Sequence, residues 1–208
     1  MRRIVLVAAW TAIVAACATV PEKGASPSVA IFMDFDDKPG DASLAVMKKE
    51  ADALLKPSGV TLDWRLSRAN GGNETFSDLV VVKFKGRCRV EAWSQPGTDF
   101  GTLGETLSLA STSVKEGHVL PFTEVECDQI RKALAYLRPD ADQIDRQKAL
   151  GLALGRVVAH ELYHMLAHTT SHATAGLAKA SQSLRDLVAS REMSFQQRDF
   201  LAIRNNLH

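Results

Sequence analysis

His160-Glu161-Leu162-Tyr163-His164 follows the pattern His-Glu-x-x-His, which does its chemistry only where the chain is helical. Residues four apart sit one turn apart on the same helical face, so both imidazoles reach a single zinc ion. Glu161 lies between them, close enough to take a proton from water held at that ion. The flanking residues suit a helix: Ala149 to Leu166 contains no proline and few β-branched side chains. Leu154, Val158, Leu162 and Met165 form an apolar stripe at helical spacing, and the two histidines are turned roughly 100° or more from its centre. The expectation is a core helix that turns two histidines and a glutamate away from its packed side. The plain alternative is an amphipathic helix with incidental histidines.

A catalytic zinc takes three protein ligands and keeps a further position for water. His168 continues the four-residue series, but it lies about 12 Å along the axis from His160, too far to share an ion. It reads as a solvated histidine near the helix end. Thr170 stands where metzincins carry their third histidine, and Ala167 where they carry the glycine that turns the chain. Threonine is a poor zinc ligand, so the metzincin pattern is not met. His172 is the better candidate. Thr169-Thr170-Ser171 are poor helix residues that can end the helix and let the chain fold His172 back. Asp186 is an acidic alternative, as a ligand or as a partner to one. Glu192, the only glutamate after Glu161, is far along the chain.

His160-Glu161-Leu162-x-His164, then His172, then Gly176-Leu177, resembles a group of short secreted bacterial zinc-dependent proteases of the zincin type. The likeness covers about residues 155–187. It implies that His160, His164 and His172 hold zinc and that Glu161 is the catalytic base. Many such proteins carry a methionine two residues after that glycine; this chain has Ala178.

The rest of the chain reads as an α+β, zincin-like domain over residues 29–208, with a small mixed sheet, an active-site helix and C-terminal helices. Val29 to Phe35 reads as a buried strand, Ser43 to Leu55 as an amphipathic helix stopped by Pro57 and Gly59, and Val60–Leu66 and Asp78–Phe84 as strands. Gly71-Gly72-Asn73 and Glu91 to Thr102 read as loops. Thr106–Val114 and His118–Phe122 pair as a hairpin across Lys115-Glu116-Gly117. His118 then reads as a turn-edge histidine. Thr123-Glu124-Val125-Glu126 has the form of a capping box opening a helix to about Leu137. Asp140 or Asp142 caps the motif helix, where Gly151 and Gly155 allow another element to approach closely. Two short helices follow His172, the first capped by Ser183 and the second by a box at Ser194-Phe195-Gln196-Gln197, both expected on the far side of the motif helix.

Residues 1–17 read as a lipoprotein-type signal peptide: Arg2 and Arg3, an apolar run from Ile4 to Ala16, then Val14-Ala15-Ala16-Cys17 as a lipobox-like end with Cys17 as the lipidation site. Residues 18–28 read as a tether. Export leaves Cys88 and Cys127 in an oxidising compartment, where they pair. With 25 basic and 24 acidic residues the chain carries no footprint for nucleic acid. A membrane is contacted only through the lipid. The functional expectation is zinc-dependent hydrolysis of peptide or protein substrates at the cell envelope. The rival is a non-catalytic lipoprotein, a degenerate zincin or a binding module. Intact Glu161 argues against the rival, because a purely structural zinc site does not need it.

Overall fold

Alternating apolar residues build five strands into one sheet. They are β1 (Ser28–Asp37), β2 (Thr61–Leu66), β3 (Asp78–Arg87), β4 (Ala110–Lys115) and β5 (His118–Glu126), in the spatial order β2-β1-β3-β5-β4. The computed structural model describes residues 27–67, 74–90, 108–137, 141–189 and 193–207. The expected leader with Cys17, nearly all of the tether, the loops at 71–73 and 91–102, Asp140 and Glu192 lie outside them. Neighbouring strands among β2, β1, β3 and β5 run parallel, and β4 pairs antiparallel with β5 at the edge. The chain is therefore mixed α and β, with a mostly parallel sheet. Among the described residues no helix is long and apolar enough to cross a membrane.

One crossover between parallel strands, β1 to β2, carries a helix, and the other helices follow the last strand. The helices are α1 (Asp41–Leu55), α2 (Cys127–Leu137), α3 (Gln143–Leu166), α4 (Leu184–Val188) and α5 (Gln197–Arg204). Strand residues of one parity, Val29, Ile31, Met33, Phe35, Val80, Val82, Phe84 and Val125, join Met47, Leu54, Leu55, Leu150, Leu154 and Leu162 from α1 and α3 in the main core. One row across the sheet runs Leu66, Met33, Val82, Thr123, Thr112.

Two local signals yield to tertiary pairing. Thr123-Glu124-Val125-Glu126 caps no helix. These residues end β5, where Thr123 and Val125 are buried and pair in register with Val82 and Phe84 of β3, and the helix starts only at Cys127. Strand pairing satisfies their backbone groups, which removes the need for a cap. At α5 the box is formed by Gln196 and Asp199, two residues beyond Ser194. The expected hairpin is present. Glu116 and Gly117 both take positive φ, 52° and 82°, the geometry of a tight turn whose twist matches its strands.

Cys88, just past β3, is bonded to Cys127 at the head of α2, with a Cα–Cα distance of 5.0 Å and both residues fully buried. Closing a loop of this separation, 39 residues, stabilises by about 4 kcal/mol in the chain-entropy picture.

α3 crosses α1 at close range through Gly151 and Gly155. A Cβ on Gly151 would fall 2.6 Å from the Ser43 carbonyl oxygen, and one on Gly155 2.7 Å from that of Met47. The Ser43 hydroxyl donates to the Gln147 carbonyl at 3.0 Å, and the nearly buried Arg156 pairs with Glu50 at 2.7 Å. The glycines set the distance at which these polar ties close. Gly151→Ala and Gly155→Ala are each expected to destabilise by about 1–3 kcal/mol despite alanine's better helix propensity, read as lower denaturation midpoints. Wild-type stability in both variants would show that α1 has room to yield.

Candidate metal centre

α3 starts where the Asp142 carboxylate accepts from the Asp145 amide at 2.8 Å, so Asp142 is the cap. It ends in a paired turn: the Thr169 amide donates to the His164 carbonyl at 3.0 Å and the His168 amide to that of Met165 at 3.4 Å. His168 takes φ 47°, the left-handed conformation that such a turn demands of the residue after the cap. The helix therefore stops before Thr169-Thr170-Ser171, by backbone geometry at His168. That turn points the His168 side chain to solvent and brings the following residues back along the helix.

Burial of α3 is nearly complete from Ala149 to Leu166. Glu161 and His164 are about as buried as the apolar stripe, at 7% and 6% exposure. The histidine side of the helix is thus packed as well, which corrects the expectation of a one-sided core helix. β4, β5 and the segment after His172 cover it. α4 is one of those covers. Arg156 lies one turn before His160 on the same face, and it donates to the Asp186 and Ala189 carbonyls at 2.7 and 2.9 Å. α4 therefore sits on the histidine side and not on the far side. α5 packs against the turn at Lys56–Ser58, where Arg204 donates to the Ser58 carbonyl at 3.0 Å.

His160, His164 and His172 come together, with their ligand-capable nitrogens all within 4.8 Å of one another. His160 is half-buried, His164 buried and His172 exposed. The His172 ring stacks over His160 at 5.4 Å between centroids and meets His164 edge-on at 4.7 Å. Among the described residues no cysteine, carboxylate or further histidine joins this group. Asp186 is outside it: its amide is capped by the Ser183 hydroxyl in the first turn of α4, and Arg156 holds its carbonyl. His118, at the start of β5, is exposed.

The two helical rings are held by backbone carbonyls. His160 Nδ1 lies 2.8 Å from the Leu177 oxygen, and His164 Nδ1 lies 2.7 Å from the Thr169 oxygen. A carbonyl only accepts, so each Nδ1 carries the proton and donates it. Each neutral ring then presents a lone pair at Nε2, and the two Nε2 atoms are 3.1 Å apart. Two lone pairs at that distance repel unless a cation lies between them. Nitrogens about 2.1 Å from a tetrahedral zinc stand about 3.4 Å apart, close to this spacing. The donor set and its second partners therefore suit a divalent ion such as zinc, which the three histidines would hold.

Leu177 is placed by Gly176. Its φ of 77° and a would-be Cβ 2.7 Å from the Ser194 oxygen demand glycine there. The Leu177 amide donates to Ser194 at 2.9 Å, and its carbonyl accepts from both His160 and the Gln182 amide, the latter at 2.9 Å. Ala178 beside it is fully buried. No pattern of residue types could have revealed the Leu177 and Thr169 carbonyls, because any residue carries one.

Burial lowers the proton affinity of His160 and His164 below the usual range, with the two carbonyl bonds opposing it in part. Neutral rings are the form that binds metal. Burial also pushes the Glu161 carboxyl above its usual range, against the hydrogen bonds from Thr112 and Thr123 and the neighbouring His164 and His172. A raised carboxyl suits a group that must gain and release a proton. The chain matches no family model, and no curated protein matches it significantly.

Two outcomes follow. His172→Ala should lower zinc affinity by orders of magnitude, while His168→Gly should keep it and stabilise by about 1 kcal/mol by relieving the left-handed turn; zinc titration and melting of both variants decide this. Secondly, a carboxyl raised on folding costs stability wherever it is ionised. Glu161→Gln should therefore raise the melting temperature of metal-free protein at neutral pH. The gain should shrink as pH falls through the raised carboxyl range toward 4.5, where Glu161 itself becomes neutral. A pH-independent difference would refute that reading.

Proposed function

We propose that the chain is a zinc-dependent peptidase of zincin type, exported to the cell envelope and anchored there by lipid at Cys17. The observation that carries the reading is the pair of histidine Nε2 atoms 3.1 Å apart beside a buried glutamate. The resemblance in sequence supports it, as does an antiparallel edge strand set beside the motif helix. Bound by His160, His164 and His172, zinc would supply Lewis acidity that polarises a peptide carbonyl and acidifies water.

The residues divide the remaining work. The Leu177 and Thr169 carbonyls hold the two imidazoles in the tautomer and orientation that bind metal. His172, exposed, stands at the solvent side, where substrate enters. A Glu161 carboxylate oxygen takes the proton of the attacking water as its oxygen bonds to the peptide carbon, and delivers it to the amine nitrogen as the carbon–nitrogen bond breaks. The substrate class is peptide or protein. Three ligands with no fourth among the described residues favour a catalytic over a closed structural ion.

Metal analysis of purified protein, paired with cleavage of a fluorogenic peptide library, tests this. Wild-type protein should hold one zinc and cleave. Glu161→Gln should hold the same zinc and lose about 10²–10⁴-fold in rate. Zinc-loaded wild type that cleaves nothing would leave the non-catalytic lipoprotein in its place.

A further inference from the structure

We infer that Thr112 of β4 is the main positioning residue of Glu161, fixing one carboxylate oxygen, with Thr123 of β5 as the weaker second partner. This rests on the peptidase reading above. The Thr112 hydroxyl donates to Glu161 Oε2 at 2.6 Å, across 49 residues of chain. The bond is short, as charge-assisted O–H···O contacts are. A glutamate on a helix can rotate about three side-chain bonds, so aiming it takes donors on a different, rigid element.

The sheet supplies them. In the row Leu66, Met33, Val82, Thr123, Thr112, the side chains change from apolar to hydroxyl on β5 and β4, the strands that pack most against α3. Val82 is fully buried and Thr123 is 2% exposed, positions where valine and threonine fill the same volume. The Thr123 hydroxyl donates to the Ser111 carbonyl at 3.0 Å. The Thr123 hydroxyl also hydrogen-bonds the Glu161 carboxyl, and Thr112 is the stronger of the two hydroxyl partners. Donation from Thr123 ties the two strands together just where the register slips, between Thr112 and Val114. The slip leaves Thr112 as the last β4 residue in the uninterrupted register with β5, and it is held at the height of Glu161.

The test separates aim from packing. The full chain, zinc-loaded, is assayed on the fluorogenic peptide that wild type cleaves best, as Thr112→Val and Thr112→Ser. Valine should lower kcat about 10–100-fold and leave KM and zinc affinity within about twofold. Serine should restore most of kcat. A second readout needs no activity: the melting temperature of metal-free protein in the cycle Thr112→Val, Glu161→Ala and both. Thr112→Val should lower the melting temperature when Glu161 is present and have little effect when it is alanine. Equal shifts in both backgrounds overturn the contact whatever the wild type cleaves. Coupled melting with unchanged kcat in Thr112→Val overturns the positioning role. A wild type that binds zinc but cleaves no peptide overturns the peptidase reading and this role with it, an outcome told apart by the wild-type assay alone.

Discussion

A helix buried on every side is the constraint to which the rest of this structure answers. Over most of its length α3 has no solvent face, so each neighbour must meet it closely and each polar group on it must find a partner. Where α1 crosses, the answer is the absence of side chains at Gly151 and Gly155. At Arg156 it is Glu50 on one side and the end of α4 on the other. At the histidines it is backbone oxygen, and at Glu161 a hydroxyl from the edge strand. Polar burial of this density costs more than it returns in stability unless every member is satisfied.

The division of labour between side chain and backbone explains how the centre is ordered. Only the three rings and one carboxylate need particular residue types. Their aim comes from the path of the chain after α3, which is set by the left-handed turn at His168 and by Gly176. Tyr163, next to His164, continues this support outward: its ring lies 5.5 Å from Phe195, and Phe195 lies 6.0 Å from Phe200 of α5. The C-terminal helix is thus joined to α3 by aromatic contact.

What could be read in advance followed from how local each signal is. The His160–His164 spacing is complete within one helical turn, so no knowledge of the fold was needed to see it. The periodicity of α1 and the alternation of β1 and β3 were equally plain. Thr123 misled because a capping box is a four-residue pattern, whereas membership of β5 is decided by β3, some forty residues earlier in the chain. The packed histidine face was missed because amphipathic periodicity describes a helix with one covered side, and α3 has several. Thr112 gave one faint sign, a threonine at core-facing parity in a strand, which only the sheet order makes legible. The left-handed His168 was hidden because histidine is not the residue that conformation favours.

The ties that complete the centre span long stretches of chain: Ser43 to Gln147 is 104 residues, Glu50 to Arg156 is 106, and Thr112 to Glu161 is 49. Contacts of such separation form late, because their loop closure must precede any gain from them. A chain emerging N-terminus first exposes its sheet residues well before α3 exists to cover them. His172 and the Leu177 carbonyl arrive later still. The order of synthesis thus acts as a timer. The histidine cluster cannot be complete until the chain has been made as far as Leu177, so the centre is among the last parts of the fold to form.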